Sequence, residues 1–140
     1  MTDKIWTGGL FLKNEGGYEI ILKSLEHYKK RLKTISNSPE LKDSAAMFSS
    51  VLNQEAMKTI PKIEEVIKKI RTALLDEGSL DTLKEEIPFM QKSLVCYESD
   101  INKARDTGHE YFLKLVGDMR VAEKDMTYVK NAQKKIAEFL

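Results

Sequence analysis

A chain of 140 residues, 41% apolar and 32% charged, is the size of one ordinary domain and can bury a real core. Its 23 basic and 22 acidic residues leave a net charge of +1, so no bulk field draws it to nucleic acid or an anionic membrane. No run approaches the ~18 apolar residues of a membrane span, the first residues lack a signal-peptide pattern, and the single cysteine, Cys96, excludes an intramolecular disulfide and fits a reducing, cytoplasmic setting.

Residues 1–13, with Trp6 and the pair Gly8-Gly9, read as an irregular segment laid over the end of a helical domain that spans 14–140. The first helix is expected from the N-cap Asn14 to about Ser36, with an apolar stripe at Tyr18, Ile21, Leu25, Tyr28, Leu32 and Ile35. Ser38 as N-cap and Pro39 at the first helical position start a second helix that reaches about Leu75. Pro61 loses a backbone hydrogen bond and meets the carbonyl of Met57, so a kink or break is expected there. Gly78 and Ser79 close one helix and cap the next. That helix carries Leu80, Leu83, Ile87, Met90, Leu94, Tyr97, Ile101 and Ala104 on one seam, with Pro88 bending its early part.

Length constrains the chain beyond Ser79. An unbroken helix from Ser79 to Leu140 would run roughly 90 Å and overhang its partners. A break at Thr107-Gly108, where Thr107 and Glu110 spell a capping box, instead gives four helices. The expected fold is therefore an all-α antiparallel four-helix bundle with a kinked second helix. Three long helices that pair two chains as a coiled coil are the alternative.

Chemistry is hard to find. His27 falls two positions after Leu25 and among Lys23, Lys30 and Arg31, which points to an exposed, ordinary histidine. Asp106 and His109 resemble half of a di-iron site, but such sites need two Glu-x-x-His motifs and the chain has none; His109 reads as a helix-end residue. Cys96, between Val95 and Tyr97, reads as a small buried hydrophobe. The glycine pairs lack the Gly-Lys-Ser/Thr ending of a phosphate loop. The basic run Lys29 to Lys33 complements a helix C-terminus. No catalytic set, metal site or cofactor is expected.

One segment departs from its surroundings. Ser44 to Gln54 carries no charge in a chain that is one-third charged. A helix without a charged face is buried on several sides, as the central helix of a bundle, or it meets a partner. Met47, Phe48, Val51, Leu52, Asn53 and Gln54 are thus the candidate interface or pocket. The expected function is a non-enzymatic helical interaction or scaffold protein, a homodimer or part of an assembly with a protein partner, with no role for nucleic acid or membrane. The alternative is a small-ligand or cofactor-binding bundle with an apolar pocket beside the Pro61 kink.

Overall fold

The computed structural model describes residues 17–35, 46–75 and 85–138, and among them the chain is all-helical, with no strand. The helices are α1 (Gly17–Lys33), α2 (Ala46–Leu75), α3 (Ile87–Thr107), α4 (Glu110–Val116) and α5 (Met119–Glu138). The irregular segment at 1–13, the Asn14 cap, the Ser38-Pro39 boundary and the Gly78-Ser79 boundary lie outside the described residues. No described helix is long and apolar enough to cross a membrane.

α1 is the hub, packed against each of the other four helices. It can be because it buries two seams. Ile21 and Leu25, with half-buried Tyr28 and Leu32, form the apolar one, and Ile20, Ser24, His27 and Arg31 form a second, also buried. Neighbouring residues lie about 100° apart around a helix, so the two seams together cover nearly half of α1. The uncharged stretch makes α2 a candidate for the centre, but the principal partner of α2 is α1, against which it buries Ile63, Val66, Ile67 and Ile70. Its opposite side is solvated.

The core continues through Met90, Leu94, Tyr97 and Ile101 of α3 and Ala122, Val129 and Ile136 of α5. A smaller cluster of Ala104, Phe112 and Leu115 closes the end where α3 meets α4. Lys23 pairs with Asp125, Lys30 reaches the Lys114 carbonyl at 3.2 Å, and the Thr34 hydroxyl lies 3.0 Å from that of Tyr111. Partner numbers fall as α1 advances, so α1 runs opposite to the α4–α5 segment.

The prolines act unequally. α2 runs unbroken through Pro61. Pro88 does not bend a helix interior: α3 starts at Ile87, and Pro88 occupies its first turn, where the missing N–H would have no intrahelical partner anyway. Just before it, the Glu86 side chain makes no capping bond. Its carboxylate turns to α2 and accepts from Lys69 at 2.7 Å and from Lys62 at 3.2 Å. Burial alone pushes the Glu86 carboxyl up, yet hydrogen bonds from Lys69 and Lys62 outweigh it and the net shift is downward.

The expected break at Thr107-Gly108 is present. Gly108 adopts the left-handed conformation at φ 65° and donates to the Ala104 carbonyl. The cap of the next helix is His109 rather than Thr107: its Nδ1 accepts the Tyr111 N–H at 3.1 Å, while the Thr107 hydroxyl accepts the His109 N–H. A second break, not expected, comes at Gly117 with φ 74° and ψ −136°, after which Asp118 accepts the Arg120 N–H at 2.8 Å. Open space surrounds both glycines, so only backbone strain opposes a side chain there. Gly108→Ala is expected to cost about 1 kcal/mol. Gly117→Ala, in a region closed to other residues, is expected to cost about 2–3 kcal/mol. Urea denaturation of the two variants side by side checks the order.

Candidate functional site

Two places on the molecule concentrate unusual features: a groove between α1 and α2, and a polar cluster buried between α1 and α3. The groove is a concavity of about 420 Å³, open to solvent, lined by Leu32 and Lys33 of α1 and by Asn53, Ala56, Met57, Ile60 and Pro61 of α2. Met57 is 71% exposed on its rim. Of the residues expected to form an interface or pocket, Asn53 lines the groove directly. Leu52 is half-buried, Gln54 is exposed, and Val51 is 49% exposed on the charged side of α2, away from the groove. The side chains of Met47 and Phe48 lie outside the described residues.

The polar cluster overturns the expectation for His27. The imidazole is buried, not solvated, and its Nε2 donates to Asp100 Oδ2 at 2.7 Å. A carboxylate can only accept, so that nitrogen carries a proton. Asp100 is itself buried and also receives Arg31 Nε at 3.4 Å and the Cys96 thiol at 3.8 Å. The His27 ring packs on Tyr97 with centroids 4.8 Å apart. The Tyr97 hydroxyl donates to Asp125 at 2.7 Å, and Lys23 pairs with the same carboxylate. Arg31 Nη1 donates to the Tyr111 hydroxyl at 3.0 Å, and its guanidinium lies over the Tyr111 and Phe112 rings. Two sets of polar contacts, one around Asp100 and one around Asp125, thus join α1, α3, α4 and α5, and the His27–Tyr97 ring contact links them. Ser24, fully buried on the same seam, has a hydroxyl with no hydrogen-bond partner.

What this cluster can do chemically is limited. Burial pushes the Cys96 thiol up to about 12, reinforced by the Asp100 charge and only partly opposed by Arg31 and Lys103. At neutral pH the sulfur is a thiol and not a nucleophile. Burial and the bond to Asp125 also push the Tyr97 hydroxyl up. His27, Cys96 and Asp100 form a group of potential metal ligands, with their donor atoms all within 4.8 Å of one another. Asp106 and His109, the pair that resembles half of a di-iron site, are exposed, as is the adjacent Glu110, and no metal-ligand group among the described residues includes them.

The second α1 seam is what sequence reasoning passed over. Its signal was the spacing Ile20, Ser24, His27, Arg31, four, three and four residues apart, which is core periodicity carried by polar residues. A further concavity of about 470 Å³, lined by Lys30, Thr34, His109, Glu110, Tyr111, Lys114 and Leu115, opens where α1 meets α4. No family model, curated protein or solved structure matches the chain.

Asp100→Ala strands His27 and Arg31 without their common acceptor, and it should lower stability by about 3 kcal/mol, measured by denaturant unfolding at pH 7. Because the Cys96 thiol titrates above its ordinary range, the folded protein should react with iodoacetamide at pH 8 far more slowly than the urea-unfolded chain. Equal rates would show that the thiol is neither buried nor shifted.

Proposed function

We propose that this chain is a non-enzymatic helical interaction protein that pairs with a second copy of itself through the α1–α2 groove. The reading is supported by one observation: the same face carries a projecting apolar side chain, Met57, and a receiving hollow bounded by Ala56, Ile60 and Pro61. A two-fold interface requires such self-complementarity, because each copy offers the same patch to the other. Methionine suits the role, being flexible and polarizable enough to fill an irregular hollow. The groove borders a segment without charge, Ser44 to Gln54, and Lys33 is the one charged residue in its lining among the described residues; both keep the cost of desolvating the face low.

Within this proposal the described helices belong to an antiparallel four-helix bundle, with α4 and α5 together as the fourth arm and a bend in α2 at Pro61. A cytoplasmic setting goes with it, supported by the single cysteine. The absence of chemistry is supported by a thiol held protonated and a histidine and aspartate held deep between helices.

Met57→Glu places a charge in the hollow of the partner copy. In light scattering over a concentration series the native protein should approach twice the monomer mass, and Met57→Glu should remain at the monomer mass with unchanged helicity. A native protein that stays monomeric at the highest concentration ends this reading. The alternative, a small apolar ligand seated beside Pro61, draws on the same hollow; a molecule retained in the native mass spectrum and lost on Ala56→Phe would favour it. An open groove suits a helix better, since pockets for small ligands bury most of the ligand surface.

A further inference from the structure

We propose that His27, Cys96 and Asp100 form a binding site for a divalent transition metal of the zinc class, clamping α1 to α3. Cys96 and Asp100 are four residues apart on α3, so they share one face a turn apart. His27 enters from α1 opposite them. The Asp100 oxygen lies 2.7 Å from the imidazole nitrogen and 3.8 Å from the sulfur, and no pair of the three donor atoms exceeds 4.8 Å. Tetrahedral zinc, with bonds of roughly 2.0–2.3 Å to nitrogen, oxygen and sulfur, sets its ligands about 3.3–3.7 Å apart. The observed separations bracket that range, so small side-chain rotations bring all three to one centre.

The donor set selects the metal. A thiolate, an imidazole and a carboxylate together suit zinc, whereas calcium and magnesium take oxygen ligands. Cys96, half-buried beside two buried partners, marks the side from which the ion enters and where water completes the fourth position. Arg31 and Lys103 are the cations near the cluster. Arg31 sits 3.4 Å from the Asp100 oxygen in the metal-free arrangement. His27, Cys96 and Arg31 all meet the same Asp100 oxygen, Oδ2, so a metal bound there requires Arg31 to shift to Oδ1, from which it would orient the carboxylate as outer-shell partners do. The protons balance simply. Cys96 releases one to solvent as the metal–sulfur bond forms. The proton that His27 Nε2 shares with Asp100 in their hydrogen bond is displaced by the metal: the neutral ring changes tautomer, Nε2 passing its proton to solvent and Nδ1 taking one up, so the net release is the single proton of Cys96.

The site is independent of the α1–α2 groove, and its test does not depend on pairing. Chelator-treated full chain is titrated with Co2+ and then Zn2+. The expected result is a near-ultraviolet sulfur-to-cobalt band that saturates at one metal per chain and is displaced by Zn2+. Cys96 is the chain's single cysteine, so the band assigns its own ligand. Cys96→Ala should abolish the band and also the rise in melting temperature that Zn2+ gives the native protein. His27→Gln should weaken binding at least ~100-fold, more than an outer-shell change costs. Because that residue is buried, a second measurement stands beside it: in a His109→Asn background, Zn2+ should shift the ring-nitrogen resonances of His27. No band in the folded protein, Zn2+ binding unchanged in Cys96→Ala, or His27 resonances unmoved at saturation would each overturn the proposal.

Discussion

Asp100 puts a carboxylate between α1 and α3 where water does not reach it, and the arrangement of the bundle centre comes from satisfying it. An isolated charge there would be costly, so the site needs donors on more than one helix. His27 and Arg31 supply them from successive turns of α1. Both must then be buried, which turns α1 onto its second seam and makes it the helix that touches all the others. Arg31 passes the network on to Tyr111, and Tyr97 carries it to Asp125. Such a set of contacts has direction. An apolar seam alone tolerates a helix sliding by a turn, while a carboxylate that must meet an imidazole and a guanidinium does not.

The same need explains why the C-terminal third is broken twice. A straight helix from Ile87 onward would carry Tyr111 and Asp125 away from α1. Gly108 and Gly117, with positive φ, turn the chain back so that both residues face α1. The short α4 between them brings Phe112 and Leu115 over Ala104 and closes the end of the core. Glycine is favoured at these turns because a side chain strains the backbone there.

Polar contacts at the centre leave the apolar surplus at the edge. α2 buries Ile63, Val66, Ile67 and Ile70 against α1, but over residues 51–61 Ala56 alone is buried, and Met57, Ile60 and Pro61 border an open hollow. In the reading proposed above, two tasks are separated. The interior between α1 and α3 holds groups suited to fixing register and to gripping an ion, and the α1–α2 edge holds groups suited to meeting another helix.

Periodicity in the sequence determined that the described residues are helical and which residues of α3 are core: Ile87, Met90, Leu94, Tyr97, Ile101 and Ala104 are all buried as their spacing requires. It also marked the turn at Gly108, because a glycine beside a slipped stripe is a local signal. Those features depend on the 3.6-residue repeat and on backbone sterics, both written in short windows of sequence. Which helix lies at the centre was not so written. His27 and Arg31 look like solvated residues until Asp100, seventy-three positions from His27, is seen to face them. The charge of Asp100 is buried only because its partners are buried with it, and that pairing belongs to the tertiary structure alone.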